Sequence, residues 1–326
     1  MLLICKLYMD LYRCCILADR EGKAWDFACS IYENLRRRSE KFELNEINIK
    51  RFRDDEIKVK IKNNVRRKNC FFIHDSSKKP AEWFLELAFV NEALRYASAN
   101  EITDVLPYMR FSRQDRKDES RVAVNARALS DVISIHADRI LTIDAHSALL
   151  PSFYRIPFDN LYSSGLLHEY LKIKHPEILK NSKVMSPDVG GTSRAKAFGL
   201  KLGIEDIVIG YKYRKNEGEV NDFKIVGSVK NSDILIIDDM VDSGNTLIKA
   251  KKASRDAGAK KVYVYCTHGL FTEGIEKICR EVDLMMVTNS ISQPNHKKLE
   301  VISLDDFFAE AIYRTNEGLS LSELFE

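Results

Sequence analysis

The sequence predicts an α/β protein with two domains and mainly parallel sheets. Short apolar runs alternate along the chain with longer segments of helical spacing, which is the pattern of repeated strand–helix units. The length of 326 residues leaves room for two domains of ordinary size. Acidic or glycine-containing loops follow several of the apolar runs, where open α/β sheets bind their ligands.

Apolar runs predict the strands, and 3.6-residue spacing with capping or stop residues predicts the helices. In the first half, the strands are 70–73, 102–106 and 140–143, and the helices are 25–37, 83–98 and 124–137. In the second half, the strands are 184–185, 207–210, 234–237, 262–266 and 284–287, and the helices are 194–202, 246–257, 275–280 and 305–314. The loop Ser163-Ser164-Gly165 predicts a boundary between domains 1–163 and 164–326, which share no obvious sequence repeat.

Composition indicates a globular protein that binds neither nucleic acid nor a membrane. Hydrophobic residues make up 45% and charged residues 30%, with a net charge of +3 and no basic stripe with interleaved aromatics. We find neither a signal peptide nor an apolar run long enough to span a bilayer. The seven cysteines lack a CxxC pair and a regular spacing, which predicts free thiols in a reducing, cytoplasmic compartment.

The stretch from Ile234 to Leu247, ILIIDDMVDSGNTL, is the most informative motif. Four apolar residues predict a buried parallel strand, and Asp238 and Asp239 stand at its carboxyl end. The loop before the next predicted helix consists of Asp242, Ser243, Gly244, Asn245 and Thr246. Its backbone N–H groups and the helix start are suited to a phosphate, while the carboxylates can accept hydrogen bonds from sugar hydroxyls. The motif therefore predicts a sugar-phosphate site.

The alternative interpretation of this motif is an ordinary strand followed by an acidic turn. Two adjacent carboxylates next to a buried strand are costly unless a partner neutralises or binds them. We therefore expect the pair to bind a ligand.

Two loops of the first half carry groups suited to phosphates or metals. Arg113 and Gln114 begin the charged segment RQDRKD, which follows a predicted strand; the alternative is a solvated surface loop. Asp144 and His146 follow the strand 140–143, and their side chains face the same way if the chain stays extended. Histidine is an unusual Mg²⁺ ligand, so a structural role is the alternative there.

Two loops of the second half also carry groups suited to phosphates or metals. Asp188 lies in SPDVGG after a predicted strand, where paired glycines let the backbone approach a ligand. Lys212 and Arg214 follow the strand 207–210 and point the same way if the chain is extended; the alternative is a solvated basic edge.

Together these motifs resemble the ribose-phosphate pyrophosphokinase family. The similarity runs from about Ile47 to the C-terminal end, with PYMRFSRQDRKDESR, SPDVGGTSRAKAFG and ILIIDDMVDSGNTL in the family's order. The segment RFRDDE, residues 51–56, is similar to the family's F-x-D-G-E segment. The resemblance implies two domains of the type I phosphoribosyltransferase fold. It also implies the reaction of ATP with ribose 5-phosphate to give phosphoribosyl pyrophosphate and AMP.

The resemblance also implies a role for each candidate residue. By this resemblance Lys212 and Arg214 are catalytic, and His146 and Asp188 bind Mg²⁺, with Asp144 as a second candidate for the metal. The residues that would bind ATP are Asp54, Asp55, Glu56, Arg113 and Gln114. The residues that would bind ribose 5-phosphate are Asp238, Asp239, Asp242, Ser243, Gly244, Asn245 and Thr246. The segment 54–56 would serve ATP on a neighbouring subunit, which implies a homo-oligomer built from dimers, a hexamer being one such size. Asp55 stands where the family usually has glycine, and Asn245 where it has a second glycine.

Two other functions compete with this interpretation. A phosphoribosyltransferase would consume the product and would need only one such domain, so the ATP motifs of the first half disfavour it. A non-catalytic regulatory subunit should have lost catalytic groups, yet Lys212, Arg214, His146 and the Asp pair are all present.

Overall fold

Two seven-stranded sheets form the framework of the computed structural model, which describes residues 13–213 and 222–325. The first sheet and its helices comprise β1 (Cys14–Asp19), α1 (Trp25–Arg38), β2 (Phe42–Arg51), β3 (Ile57–Ile61), β4 (Asn69–Ile73), α2 (Pro80–Tyr96), β5 (Glu101–Val105), α3 (Asn125–His136), β6 (Arg139–Ile143) and β7 (Phe158–Leu161). The rest of the chain comprises α4 (Ser164–Lys174), α5 (Pro176–Asn181), β8 (Ser182–Ser186), α6 (Thr192–Leu202), β9 (Ile207–Tyr213), β10 (Asp222–Val226), β11 (Asp233–Val241), α7 (Asn245–Asp256), β12 (Val262–Gly269), α8 (Glu276–Cys279), β13 (Leu284–Thr288), β14 (Leu299–Ile302) and α9 (Asp305–Glu317).

Both sheets have the same topology. The strand order is β3-β2-β1-β4-β5-β6-β7 in one and β10-β9-β8-β11-β12-β13-β14 in the other. Neighbouring strands are parallel except in the outer hairpins β2–β3 and β9–β10. The prediction of an α/β protein with mainly parallel sheets flanked by helices is confirmed. The two halves are equivalent in topology although their sequences show no obvious repeat.

Contacts divide the chain into two compact units in a different way from the predicted domains. The first unit ends at Leu161, and the second runs from Tyr162 to Ser303. Residues 304–325 return to the first unit, so the predicted assignment of the C-terminal segment to the second domain is wrong. The physical reason is burial of the apolar face of α9, where Phe308 packs edge to face on Phe27 of α1 with 5.7 Å between ring centroids.

The predicted helices and strands are all present, with ends that differ by a few residues. The sequence analysis missed six strands and two helices: β1, β2, β3, β7, β10, β14, α4 and α5. Strand β3 reads IKVKI, a strict alternation of apolar and charged residues whose exposure alternates in the same way. The sequence analysis predicted strands from continuous apolar runs and therefore missed it. Within the described ranges, none of the helices combines the length and the apolar composition needed to cross a membrane.

Candidate active site

Strand β11 continues through the acidic pair instead of ending before it. Its pairing with β8 ends at Ile236, whereas its pairing with β12 continues to Val241. Asp238 and Asp239 therefore lie on a part of β11 that extends beyond its neighbour β8, at the carboxyl edge of the second sheet. Only 2% of Asp239 is exposed, so its charge requires a partner inside the fold.

Arg194 provides that partner. From the first turn of α6, its Nη1 donates to Oδ1 of Asp239 at 2.9 Å and to Oδ1 of Asp238 at 3.3 Å. The two carboxylates are thus ion-paired within the chain. The sequence analysis gave Arg194 no role. Its position just inside a helix that follows an acidic glycine loop was the available signal, because that helix begins at the same sheet edge.

The electrostatics of the pair favour retention of a proton. Burial raises the pKa of Asp238 well above its usual range, and the charge of Asp239 raises it further. The Arg194 guanidinium opposes both effects on the pKa of Asp238, and the charge of Asp188 adds to them.

The loop after β8 folds tightly back onto the start of α6. Oδ1 of the exposed Asp188 accepts a hydrogen bond from the Gly191 amide at 2.8 Å, and the Ser186 hydroxyl donates to the Asp188 carbonyl at 2.6 Å. A Cβ at Gly191 would lie 2.9 Å from Oγ of Ser186 and 4.0 Å from Nη1 of Arg194. A side chain at position 191 would therefore have to displace the Ser186 hydroxyl, and the structure brings Asp188, Arg194 and the acidic pair together.

The predicted phosphate loop ends in a left-handed residue and an open helix start. Gly244 has φ 77°, and a Cβ there would lie 3.3 Å from Cδ1 of Ile278. Helix α7 begins at Asn245, one residue before the predicted start. Its cap residue Gly244 has no side chain to accept a hydrogen bond, and the Ser243 hydroxyl lies 3.5 Å from the Asn245 amide, which donates to it. Its first N–H groups therefore have the arrangement that binds anions.

Residues after β12 support this loop from outside. The Lys277 ammonium donates to Oδ1 of Asn245 at 2.8 Å and also pairs with Glu273. The Thr272 hydroxyl donates to Oδ1 of Asp242. Lys277 adds a positive charge beside the helix start, and the sequence analysis missed it because the residue lies 32 positions from Asn245 along the chain.

The predicted catalytic residues lie at the edge of what the structure describes. The backbone of Lys212 belongs to β9 and is paired with Phe223 of β10. The side chain of Lys212 and the whole of Arg214 lie outside the described residues. Their catalytic role stays a prediction.

In the first unit, Asp54, Asp55 and Glu56 form the tip of the β2–β3 hairpin. The Phe52 amide donates to the Glu56 carbonyl at 2.8 Å, and the Glu56 amide donates to Oδ1 of Asp54 at 3.3 Å. Asp55 has φ 67°, which is the left-handed conformation that glycine adopts readily and aspartate tolerates. The turn that the family's glycine would form is thus kept with aspartate.

The same hairpin tip carries an open depression. Its lining residues are Phe52, Arg53, Asp54 and Glu56. The Phe52 side chain is 54% exposed, which is unusual for a large aromatic ring. An exposed ring beside charged side chains can stack on a nucleotide base and bind its polar edge.

Arg113 and Gln114 lie in the surface loop between β5 and α3. Arg113 is exposed. Nε2 of Gln114 donates to the Arg116 carbonyl and to Oδ1 of Asp118, both at 3.0 Å, and so holds the loop in a compact turn. The charged segment is therefore an ordered surface loop with an arginine on its outer side.

The chain turns sharply at Asp144, so the extended backbone on which the predicted alignment of Asp144 with His146 depended is absent. Asp144 has φ 42° and is 4% exposed, and its amide donates to the Leu161 carbonyl at 2.9 Å. Side chains two residues apart face the same way only in extended backbone. His146 is partly exposed in the same unit. Throughout residues 13–213 and 222–325, no group of three or more His, Cys, Asp or Glu side chains is arranged to hold a metal.

Comparisons with known proteins decide the family. Residues 22–136 match the model of the N-terminal domain of ribose phosphate pyrophosphokinase, and residues 211–326 match the phosphoribosyl synthetase-associated domain. A ribose-phosphate pyrophosphokinase of Campylobacter jejuni is 37% identical over 86% of this chain and 91% of its own length. The chain belongs to the ribose-phosphate pyrophosphokinase family.

Other members of the family support this assignment. The ribose-phosphate pyrophosphokinase of Chlorobaculum tepidum is 38% identical over 84% of this chain and 85% of its own length. The crystal structure of phosphoribosylpyrophosphate synthetase from Mycobacterium smegmatis superposes with a TM-score of 0.85 at 26% identity, over 94% of this chain and 99% of that one. The family relationship therefore covers both units.

Proposed function

We propose that this chain is a ribose-phosphate diphosphokinase, which transfers the β,γ-diphosphoryl group of ATP to the anomeric hydroxyl of ribose 5-phosphate. The products are phosphoribosyl pyrophosphate and AMP. The observation that carries the proposal is the Arg194-bridged pair of Asp238 and Asp239 on the strand that leads through the glycine loop to the start of α7, in a chain of this family. This arrangement suits a sugar phosphate.

The second unit would bind ribose 5-phosphate. Residues 242–246 would hold the 5-phosphate with backbone N–H groups, assisted by the positive charge of Lys277. Asp238 and Asp239 would hydrogen-bond the ribose hydroxyls. Arg194 keeps both carboxylates oriented when the sugar is absent, which lowers the cost of organising the site on binding.

The proposed chemical step is an in-line displacement at the β-phosphorus. The anomeric oxygen forms a bond to this phosphorus and loses its proton to solvent, while the bond from the phosphorus to the α,β-bridging oxygen breaks and AMP leaves. Lys212 and Arg214 would stabilise the charge on the moving group. Positioning and charge neutralisation supply most of the rate enhancement in such reactions.

The donor groups present suit Mg²⁺ that is carried by the nucleotide. Asp188 offers an exposed carboxylate near the acidic pair, and His146 offers a ring nitrogen. Because no cluster of three metal-ligating side chains occurs in the described ranges, phosphate oxygens and water would complete the coordination, as is usual for Mg²⁺. The ion would neutralise charge on the transferred phosphates.

The first unit would bind ATP through Arg113 and Gln114, and its hairpin tip would complete the ATP site of a neighbouring subunit. The exposed Phe52 ring and the charged groups of Asp54, Asp55 and Glu56 fit a nucleotide base. We therefore propose a homo-oligomer built from dimers, with a hexamer as one such assembly. Its substrates are metabolites of the cytoplasm, where we propose that the protein acts.

Formation of AMP from ATP and ribose 5-phosphate by the purified chain tests the proposal. A diphosphokinase produces AMP and phosphoribosyl pyrophosphate in equal amounts, and neither forms if ribose 5-phosphate is omitted. A phosphoribosyltransferase would instead consume phosphoribosyl pyrophosphate with a base. A regulatory subunit would bind nucleotide without producing AMP.

A further inference from the structure

The base of the loop that carries Arg113 is held by a buried serine from a neighbouring strand end. Ser76 follows β4 and is 3% exposed. Its hydroxyl accepts a hydrogen bond from the Tyr108 amide at 3.2 Å and lies 3.4 Å from the Tyr108 carbonyl, to which it can donate. One side chain thus binds both polar groups of a single backbone residue where the loop leaves the sheet.

Arg110 contacts both Ser76 and Tyr108 and so adds to the interaction between them. Its Nη2 donates to the Ser76 carbonyl at 2.7 Å, and its guanidinium carbon lies 5.6 Å from the centroid of the Tyr108 ring. Tyr108 is 5% exposed, so these interactions are largely shielded from water. We call Ser76, Tyr108 and Arg110 the loop clamp.

The residues between the loop clamp and Arg113 are fixed by packing. Phe111 has φ 61°, a strained conformation for an aromatic residue, and its ring lies 6.4 Å from those of Trp83 and Phe84 on α2. The Ser112 hydroxyl donates to the Met109 carbonyl at 2.8 Å. A rigid segment therefore connects the clamp to Arg113, and a shift of the clamp must move the arginine.

Asp75, next to the clamp, connects it to the loop after β1. Its Oδ2 accepts a hydrogen bond from the Lys23 amide at 2.9 Å, and its Oδ1 accepts one from the Ser77 amide at 2.8 Å. Lys78 in turn binds Oδ2 of Asp19 at 3.0 Å. The end of β1 and the loop after it thus hold residues 75–78 in place through these hydrogen bonds.

We propose that Ser76 and Arg110 are positioning residues for ATP, because they fix the loop base that places Arg113 and Gln114. They act through the loop and do not contact the nucleotide. The inference rests on the proposed function for the identity of the ligand. It predicts that loss of either residue weakens binding of ATP and leaves binding of ribose 5-phosphate unchanged.

The test compares Ser76→Ala, Ser76→Thr and Arg110→Met with the control Ser130→Ala. Ser130 is also a fully buried serine of the first unit, and its hydroxyl binds the Phe153 carbonyl at 2.9 Å, away from the loop base. Both alanine variants lose a buried hydroxyl, so their general destabilisation should be similar. The measurements are KM for each substrate, and Kd for MgATP by calorimetry without ribose 5-phosphate.

We expect Ser76→Ala and Arg110→Met to raise KM and Kd for ATP by about tenfold, the effect of losing one well-placed hydrogen bond. Ser76→Thr, which keeps the hydroxyl, should restore most of the affinity, and Ser130→Ala should leave it unchanged. Equal changes for both substrates, or an equal effect of Ser130→Ala, would overturn the proposal. If Ser76→Ala fails to fold, the half-buried Arg110→Met decides the outcome. A wild-type chain that binds MgATP but forms no AMP would contradict the proposed function while leaving the Kd comparison valid.

Discussion

Asn91 of α2 donates a hydrogen bond from Nδ2 to Oδ2 of Asp104 on β5 at 2.8 Å, in the core of the first unit. Asp104 is completely buried, and its Oδ1 has no hydrogen-bond partner among the described residues. Burial raises the pKa of Asp104 to about 8, against the opposing effect of the Asn91 hydrogen bond. The fold therefore prefers the protonated carboxyl.

The first prediction is that stability falls as the pH rises toward 8. The unfolded chain releases the Asp104 proton near pH 3.9, whereas the folded chain retains it up to about pH 8. Between these values the folded state binds one more proton, so the free energy of unfolding falls by up to about 1.4 kcal/mol per pH unit from this group. Asp104→Asn should remove this slope in urea unfolding at pH 5, 6, 7 and 8. An unchanged slope in the variant would exclude Asp104 as its source.

The second prediction concerns Gly244. A Cβ in its left-handed backbone costs about 1–2 kcal/mol and would also press on Ile278. Gly244→Ala should therefore raise KM for ribose 5-phosphate more than KM for ATP. Gly203 has a similar φ of 71° with nothing within 4 Å of a Cβ, so Gly203→Ala is the control for backbone strain alone. Similar kinetics for both variants would argue against a phosphate site at residues 242–246.

A third prediction separates the two substrates. Asp239→Asn weakens the ion pair with Arg194 and removes a charged acceptor for the ribose, so it should raise KM for ribose 5-phosphate selectively. Arg113→Ala should instead raise KM for ATP. Steady-state titration of each substrate with each variant checks this division. Equal effects on both substrates would show that the assignment of one substrate to each unit is wrong.

A fourth prediction tests the catalytic lysine. Lys212→Ala should lower kcat by about 10²–10³, the effect expected from losing one preorganised charge in the transition state. Circular dichroism should show an intact fold, since the backbone pairing of β9 with β10 does not depend on this side chain. Lys224→Ala removes an exposed lysine from β10 and serves as the control. Near-normal turnover in Lys212→Ala would remove this residue from the mechanism.

The last prediction concerns subunit sharing of the ATP site. If the hairpin tip serves a neighbouring subunit, Glu56→Ala and Lys212→Ala chains should each be weakly active alone, and mixed oligomers should regain activity. One interface can then combine an intact Glu56 with an intact Lys212. Specific activity should also fall on dilution below the assembly constant. Full activity in a monomer verified by sedimentation would contradict the shared site.

Local sequence patterns predicted much of the fold. The apolar run before Asp238 identified β11, and helical spacing identified α7 to within one residue. These elements were predictable because a parallel strand buried on both faces gives a continuous apolar run, and an amphipathic helix gives apolar residues at helical spacing. Both patterns are visible within a short stretch of sequence. Strand β3 was missed although IKVKI alternates as a half-buried strand should, because only continuous apolar runs were used to predict strands.

The sequence by itself determined the order of the elements, the motif chemistry and the resemblance to the family. Only the tertiary structure showed that Arg194 neutralises the acidic pair, that Asp144 turns away from extended backbone, and that α9 packs in the first unit. Arg194 and Asp239 are separated by 45 positions along the chain, and α9 by far more from α1. Contacts between residues this far apart in the sequence depend on how whole strands and helices pack together, and no local sequence pattern specifies that packing.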